Sequence, residues 1–367
     1  MFAYKYIHFL WHNETNFNTR IPLLFLRNPD SFNISEHLFI SPFKRVIDAL
    51  PENVNKEKMD NPFRRSTLLK YAQKGCCLFF HSLPYKHYVL KMPKSIRRRT
   101  IWRTWGHEAR YNRTKGRFIT NFVKSALESL FYRCMKDFYA IGVANLVDII
   151  DLKHGIGEMK YISFPYVKDE KNSVGIIQSL RNRKDVPHLY TIMIGHSGLR
   201  NDDHIGILKK LERFRDKNFQ VLMFLSYVNR KYIEKVKRYV NQFWTRRVHI
   251  ITEFLPFNRY AQVCSEADML ILAGQKSYAL GILSVFTNLE KKIYLRRDGI
   301  LHRAFLETGL PHECIDMIER QSFEEFCAPL DYQNVANILF PLREYHENVE
   351  QWKEILRDFG NILDSEH

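Results

Sequence analysis

Two short turns in the second half of the sequence have the residue types that bind phosphate. The first, Gly195-His196-Ser197-Gly198, follows the apolar run YTIMI and precedes a stretch with the apolar spacing of an amphipathic helix. A strand, a tight turn and a helix bring free backbone N–H groups and the positive end of a helix dipole together, which favours an anion. A lone turn of this kind is more often an ordinary connection whose glycines serve geometry alone.

A second junction of the same kind supports phosphate binding. Residues 267–272 read ADMLIL, and the polar turn AGQKS leads into a helix predicted over 278–289. Strands that alternate with helices predict a parallel sheet, whose ligands bind beyond the carboxyl ends of the strands. Both turns are therefore expected to face one cleft. The elements predicted between them are strands at 220–225 and 248–251 and a basic helix at 232–243.

The elements that position these turns are expected to form two α/β domains. The chain has 367 residues, of which 45% are hydrophobic, enough for more than one core. Strands predicted in the first half, at 4–11, 36–41, 76–81, 100–105 and 139–144, form their own unit. The boundary is the stretch at 161–172, which changes from an aromatic strand to a charged, proline-broken linker. The predicted domains are 1–168 and 169–344, with a helix at 345–367 that could cross back to the first domain.

Composition argues against several other classes of protein. No stretch approaches the roughly 20 apolar residues of a membrane span, and the N-terminal residues lack the apolar core of a secretion signal. The six cysteines have no paired CxxC spacing, so neither a zinc site nor a disulfide framework is indicated. The sequence predicts a cytosolic protein with buried thiols.

A strongly basic segment is the other global signal. The chain has a formal net charge of +16, and residues 61–117 contain fifteen Lys and Arg against one acid, Glu108. Such a field selects anionic partners, and the interleaved aromatic residues suit either nucleic acid or an anionic membrane surface. Composition does not choose between these, and a solvated basic face is a third reading. The candidate contacts to an acceptor or a membrane are Arg97, Arg98, Arg99, Trp102 and Trp105.

Several motifs together resemble glycosyltransferase family 56, the TDP-N-acetylfucosamine:lipid II N-acetylfucosaminyltransferases. Their order and spacing carry the resemblance, which runs along the whole chain and is strongest over 190–295. The motifs are IMIGHSG with His204 behind it, EFLPFNRY, Ala279-Leu280-Gly281, FPY at 164–166 and WRTWGHEARY around Trp105.

The resemblance implies a GT-B fold, in which two Rossmann-like lobes face a central cleft and the C-terminal lobe binds the donor. It also implies transfer of the sugar to an undecaprenyl-diphosphate-linked acceptor at the cytoplasmic face of the inner membrane, in synthesis of enterobacterial common antigen. The expected partners are a nucleoside-diphosphate sugar, a lipid-diphosphate acceptor and an anionic membrane, with no nucleic acid. No metal or other cofactor is expected, because Asp-x-Asp is absent from the sequence.

The resemblance and the turns together give candidate site residues. Glu253 could accept hydrogen bonds from the nucleoside, although a solvated acid is equally consistent, and a packed helix face is favoured for Tyr260. The catalytic candidates are Glu108, for which an ion pair with a neighbouring arginine is the alternative, and His81, for which the alternative is a buried core histidine. The donor-binding candidates are Gly195, His196, Ser197, Gly198, Glu253, Tyr260, Lys276, Ser277, Tyr278 and Gly281.

The sequence departs from the family pattern at three places. The family that this sequence resembles usually has Asn at the position of His196, Arg-Gln-Gln at Lys276-Ser277-Tyr278 and Asp at Glu108. Lys276 still supplies a positive charge, without the planar fork of arginine. We therefore expect an active relative with altered specificity. Two alternatives stay open, a nucleic-acid-binding module and an inactive GT-B relative that acts as an assembly partner.

Overall fold

The structure is a computed structural model in which the chain forms two compact units. Unit 1 comprises Met1–Asp169 and Tyr345–His367, and unit 2 comprises Glu170–Glu344. The residues that the structure describes are 4–11, 18–83, 86–104, 118–143, 146–164, 173–181, 189–226, 230–253, 255–276, 279–333 and 345–365.

Unit 1 is built on a sheet of seven parallel strands in the order β3-β2-β1-β4-β5-β6-β7. The order reverses between β1 and β4, which makes the space beyond their carboxyl ends the topological switch point of this sheet. The strands are β1 (Tyr6–Leu10), β2 (His37–Ser41), β3 (Lys56–Lys58), β4 (Cys77–His81), β5 (Thr100–Arg103), β6 (Ala140–Val143) and β7 (Tyr161–Ser163).

Helices cover both faces of this sheet, as buried parallel strands require. The helices are α1 (Arg20–Leu26), α2 (Lys44–Ala49), α3 (Arg65–Gln73), α4 (Lys86–Lys91), α5 (Lys94–Arg98), α6 (Phe118–Met135), α7 (Leu146–Ile156) and, after unit 2, α15 (Tyr345–Ser365). One core packs α3 to α7 against the sheet, and the other packs α1, α2 and α15. Trp352 of α15 is fully buried against Phe25 and Phe164, and Tyr6 Oη donates to Leu356 O at 3.0 Å.

Unit 2 contains six parallel strands in the order β10-β9-β8-β11-β12-β13. The order reverses between β8 and β11, so the switch point of the second sheet lies beyond these two strands. The strands are β8 (Tyr190–Ile194), β9 (Phe219–Phe224), β10 (Val248–Ile251), β11 (Met269–Leu272), β12 (Lys292–Leu295) and β13 (Glu313–Cys314).

The helices of unit 2 are amphipathic and bury one stripe each. In α10 the apolar residues Tyr232, Ile233, Val236 and Val240 follow helical spacing and are buried, while the basic residues face outward. Helices α9 and α10 pack on one core of the sheet, and α8, α11 and α12 pack on one another. The helices are α8 (Ser173–Arg181), α9 (His204–Leu211), α10 (Arg230–Phe243), α11 (Phe257–Ser265), α12 (Leu280–Asn288), α13 (Ile300–Thr308) and α14 (Phe323–Cys327).

The α/β class predicted from the sequence is confirmed. Each strand predicted above is present to within two residues at either end. Three strands were not predicted, β3, β12 and β13, because they are short or lack an apolar run of their own. Among the described residues, every helix is too short or too polar to span a lipid bilayer. All six cysteines are free thiols, five of them buried.

Candidate functional site

The switch point of unit 2 brings the two predicted turns together. Strands β8 and β11 are hydrogen-bonded neighbours, and Ile194 lies opposite Ile271. The backbone N–H of Gly195, the first residue after β8, donates to Ile271 O at 3.0 Å. The residues after β8 and after β11 therefore share one edge of the sheet, where ligands of such folds bind.

Gly195 is required by the geometry of the first turn. Its φ of +68° lies in the left-handed region, and the residue is buried. A Cβ at this position would lie 2.5 Å from His204 Nε2 and 3.0 Å from Asp202 Cβ. Any larger residue would displace both side chains.

The amides of this first turn are held by an internal carboxylate. The N–H groups of His196 and Ser197 each donate to Asp202 Oδ2 at 3.2 Å, and His196 Nδ1 lies 3.1 Å from the same oxygen. Asp202 is 2% exposed, and although burial raises the pKa of its carboxyl, the hydrogen bond and charge of His196 bring the pKa below its usual value. The sequence predicts that these amides are free to bind phosphate. The structure corrects that prediction, because Asp202 already accepts a hydrogen bond from both.

The N-terminus of α9 is closed in the same way. Asp203, with a φ of +44°, accepts a hydrogen bond from the N–H of Gly206 at 3.3 Å, and the N–H of His204 donates to Tyr232 Oη at 3.1 Å. Burial lowers the pKa of His204 to about 4, so its ring is neutral at pH 7. Sequence reasoning missed Asp202 and Asp203, although an acid directly before an apolar helical run is a helix N-cap signal.

The second turn, by contrast, leads into a helix without a side-chain cap. Ala279, the residue before α12, has a φ of +66° and makes no capping hydrogen bond through its side chain. Gly281 in the first turn of α12 is exposed, and a Cβ there would meet nothing within 4 Å. Gly281 thus borders open space in the first turn of a nine-residue helix at the switch point, and the N-terminus of such a helix favours an anion. The candidates Ser277 and Tyr278 lie outside the described residues.

The segment after β12 fixes this second turn and adds a cation. Gln275 Nε2 donates to Asp298 Oδ2 at 2.9 Å, and Gln275 O accepts from the N–H of Ile300 at 3.1 Å. Arg296, directly after β12, binds Asp298 through two hydrogen bonds of 2.5 and 3.2 Å, which raise its pKa. Lys276 is half-buried in the turn itself. Sequence reasoning missed Arg296, whose signal is a cation immediately after the short apolar run of a strand.

Two donor candidates lie away from the switch point. Glu253 is exposed and follows β10, the edge strand, which β9 separates from β8. Tyr260 is half-buried on α11, with its ring centroid 5.1 Å from that of Phe224. The contact with Phe224 agrees with the packed helix face that the sequence favours for Tyr260.

In unit 1, two of the acceptor or membrane candidates prove to be internal. Arg97 is 9% exposed, donates to Asp137 Oδ2 from Nε and Nη2 at 3.2 and 2.8 Å, and donates to Val89 O at 3.3 Å. Trp102 is 1% exposed within the core. The structure corrects their assignment to a surface, since the guanidinium stabilises a buried turn and the indole fills the core. Arg98 is exposed and Arg99 is half-buried.

One of the two catalytic candidates lies among the described residues. His81 is the last residue of β4, beside the switch point of unit 1, and is 2% exposed. Glu108 and Trp105 lie outside the described residues. Within the described ranges, no three His, Cys, Asp or Glu side chains are grouped as metal ligands.

Comparisons with known structures identify the architecture. A glycosyltransferase from Rickettsia africae matches with a TM-score of 0.57 and 11% identity, covering 98% of this chain and 99% of its own. The Anabaena protein HepE, in complex with UDP and glucose, matches with a TM-score of 0.55 and 10% identity over 96% and 99% of the two chains. A UDP-forming α,α-trehalose-phosphate synthase from Burkholderia xenovorans matches with a TM-score of 0.54 and 8% identity over 98% and 99%. At these identities the matches establish the GT-B fold.

A protein-family comparison identifies the relatives. The family described as 4-alpha-L-fucosyltransferase, glycosyl transferase group 56, matches residues 69–359, which is more than half of the chain. The matched segment contains both switch-point turns and most of unit 1. The resemblance found in the sequence is therefore confirmed, and the chain belongs to glycosyltransferase family 56 as a GT-B enzyme that transfers a sugar from a nucleotide sugar.

Proposed function

We propose that this glycosyltransferase moves a deoxy-amino sugar, similar to 4-acetamido-4,6-dideoxygalactose, from its TDP-linked form to a polyprenyl-diphosphate-linked saccharide. Unit 2 binds the nucleotide sugar and unit 1 binds the acceptor. The reaction belongs to the synthesis of a cell-surface polysaccharide such as enterobacterial common antigen and takes place on the inner face of the plasma membrane. The family description, a fucosyltransferase, supports a deoxy sugar as the transferred group.

The observation that carries the proposal is the open N-terminus of α12 at the switch point of unit 2. The donor diphosphate binds the first amides of α12, next to Gly281, which leaves room for the phosphate because it has no side chain. The β8 turn cannot supply its amides in the same way, because those of His196 and Ser197 donate to Asp202. The sequence predicts that both turns bind the diphosphate, and the proposal keeps only the turn before α12 as its amide site.

Two cations complete this site. Lys276 lies in the turn before α12, and Arg296 follows the neighbouring strand β12. As the bond between the sugar and the diphosphate breaks, negative charge grows on the leaving phosphate, and fixed amides and cations stabilise it without reorganisation. The proposed reaction therefore needs no metal ion.

His196 lies in the turn on the other side of the switch point. Its side chain is 10% exposed, and Asp202 fixes the ring through Nδ1. Nε2 lies 3.3 Å from Ser197 Oγ, on the buried side of the turn. Both ring nitrogens face other residues of the turn, so His196 could touch the donor only through its ring carbons, and the family resemblance, which implies asparagine here, fits an altered donor preference.

The remaining basic surface of unit 1 is proposed to face the membrane. Lys91, Lys94 and Arg98 are exposed on α4 and α5, while Arg97 between them holds the fold. Exposed cations on two short neighbouring helices are attracted to anionic lipid headgroups, at about 1 kcal/mol for each cation.

The test is a transfer assay with purified protein. TDP- and UDP-linked amino sugars are incubated with undecaprenyl-diphosphate-linked saccharide in detergent or liposomes, and nucleotide release and lipid-linked product are both measured. The proposal predicts product with a TDP-linked sugar, and a drop of about tenfold or more in donor affinity in Lys276→Met. Lys235→Met, which removes an exposed lysine of α10, is the matched control.

The outcomes separate the proposal from the two alternatives. Donor binding without product for any acceptor would identify an inactive relative. A thermal shift with nucleic acid, and none with any nucleotide sugar, would establish nucleic-acid binding instead. Equal donor affinities in Lys276→Met and Lys235→Met would contradict the phosphate site.

A further inference from the structure

Unit 1 contains a continuous row of three buried histidines on three neighbouring strands. His8 of β1 lies between His37 of β2 and His81 of β4. His8 Nε2 is 2.9 Å from His37 Nδ1, and His8 Nδ1 is 3.0 Å from His81 Nε2. The row crosses the sheet diagonally, from the first residue of β2 to the last residue of β4.

The surroundings of the row keep all three rings neutral. The side chains are at most 2% exposed, and the ring of His8 stacks between those of Phe39 and Phe79 with centroids 4.5 and 4.8 Å away. Burial lowers the pKa of His37 to about 3 and those of His8 and His81 well below the usual value. Arg103, opposite His81 on β5, lowers the pKa of His81 further.

Two hydrogen bonds between three neutral rings allow only two arrangements of protons. Each bond needs one nitrogen with a hydrogen and one without, and each neutral ring carries a single N–H. If His81 donates from Nε2, then His8 must donate from Nε2 to His37, and all three rings are Nε2–H tautomers. If His37 donates from Nδ1, all three are Nδ1–H tautomers. The row therefore changes tautomer as a unit.

The free end of the row is at the carboxyl edge of the sheet. His81 Nδ1 is buried and has no hydrogen-bond partner among the described residues. The next residue, Ser82, has a φ of +82°, a left-handed backbone conformation that is strained in a residue other than glycine. An unpaired buried nitrogen is also unfavourable unless a ligand satisfies it. Both features lie beside the switch point between β1 and β4, where α/β folds bind ligands.

We propose that His81 Nδ1 contacts the acceptor hydroxyl and that His8 and His37 are positioning residues, which hold His81 in the tautomer that leaves Nδ1 free to accept a proton. This inference rests on the proposed sugar transfer. In the Nε2–H arrangement, Nδ1 carries a lone pair, and the Nε2–H of His81 points to His8. The sequence names His81 as a catalytic candidate, but it gives no sign that two other histidines set its tautomer.

In the proposed reaction, His81 accepts the proton that the acceptor hydroxyl loses. The bond between the donor sugar and the diphosphate breaks, and the acceptor oxygen bonds to the sugar carbon. The hydroxyl proton moves to His81 Nδ1, so that His81 carries a positive charge while its Nε2–H donates to His8 Nδ1. Water takes this proton when the product leaves. Because burial and Arg103 disfavour the charged ring, the hydrogen bond to His8 is needed to stabilise it.

The shared tautomer of the three histidines can be tested without any turnover. In protein labelled with ¹⁵N in its histidine rings, two-bond ¹H–¹⁵N spectra report the tautomer of each ring, and single substitutions assign the three signals. The proposal predicts three neutral rings at pH 7 that share the Nε2–H tautomer. It also predicts that His8→Phe, which keeps the aromatic stack, gives His81 a mixture of tautomers. Different tautomers in the wild-type row, a shared Nδ1–H tautomer, or an unchanged His81 signal in His8→Phe would overturn it.

Kinetic measurements distinguish a role of His8 and His37 in positioning His81 from a role in folding alone. His81→Phe should lower kcat for transfer by about 10²–10⁴, and His8→Phe and His37→Phe should lower it by at least about tenfold, with unchanged affinity for TDP. His249→Phe, at an exposed position in unit 2, is the control and should keep wild-type kcat. If the wild type transfers sugar and His81→Phe keeps its kcat within twofold, the inference fails. If the wild type transfers no sugar, the proposed function fails, and the spectra alone still decide whether the three histidines share one tautomer.

Discussion

Acidification from pH 7.5 to 5.5 is predicted to destabilise unit 1 through its three buried histidines. His8, His37 and His81 are at most 2% exposed, and their pKa values are lowered chiefly by burial, that of His37 to about 3. They stay neutral in the folded protein over this pH range, whereas in the unfolded chain a histidine takes up a proton near pH 6.5.

The sign and the size of the effect follow from this difference. The unfolded state binds more protons below pH 6.5, so stability is present above that pH and is lost as the pH falls. Each of these histidines lowers the folding equilibrium constant about tenfold as the pH falls from 7.5 to 5.5. Three histidines give a factor of about 10³, or about 4 kcal/mol, a large part of the stability of a typical domain.

Urea unfolding followed by tryptophan fluorescence measures this loss, because four of the five tryptophans belong to the sequence of unit 1. The sharpest comparison is with His8→Phe, which keeps the stack on Phe39 and Phe79 but removes one titrating group. Between the two pH values, the folding equilibrium constant of His8→Phe should fall about tenfold less than that of the wild type. The same pH dependence in both proteins would refute the assignment of buried, neutral rings.

Three further predictions concern the candidate site and the basic surface. Gly195→Val should destabilise unit 2 by about 1–3 kcal/mol in urea unfolding, since its Cβ would overlap neighbouring side chains at a positive φ. Arg296→Gln should weaken TDP binding about tenfold in isothermal titration, while Arg297→Gln, whose partner is Asp316, should not. Arg97→Met should lower the stability of unit 1 and spare binding to anionic liposomes, whereas Arg98→Met should weaken liposome binding and spare stability.

Each of these predictions has a clear contrary result. Wild-type stability in Gly195→Val would mean that the turn after β8 tolerates a side chain. Equal loss of TDP affinity in the two arginine variants would indicate a general charge effect. Weaker liposome binding in Arg97→Met, with unchanged stability, would place that guanidinium on the surface after all.

Much of the fold could be predicted because apolar runs and helical spacing are local signals. The runs YTIMI and ADMLIL became β8 and β11, and the parallel order follows from the alternation of strands with helices. β13 has only two residues and could not be recognised locally. It is defined by its pairing with β12, which depends on the folded sheet.

The candidate site was only partly predictable, for a different reason. The turns were found from their residue types, but the partner of their amides depends on which side chain folds back onto them. Asp202 is six residues beyond His196 and competes with any ligand for the same N–H groups. The histidine row joins residues 29 and 73 positions apart, so strand order alone creates it. Buried positions such as Trp102 and Arg97 were misread because a basic segment reads as surface.

The most direct test of the central claim is a crystal structure of the protein with TDP bound. The claim predicts the diphosphate within hydrogen-bonding distance of the first amides of α12, at Gly281 and Ile282, with Asp202 still bound to the amides of His196 and Ser197. A diphosphate that displaces Asp202 from the β8 turn, or one bound away from the edge shared by β8 and β11, would contradict it.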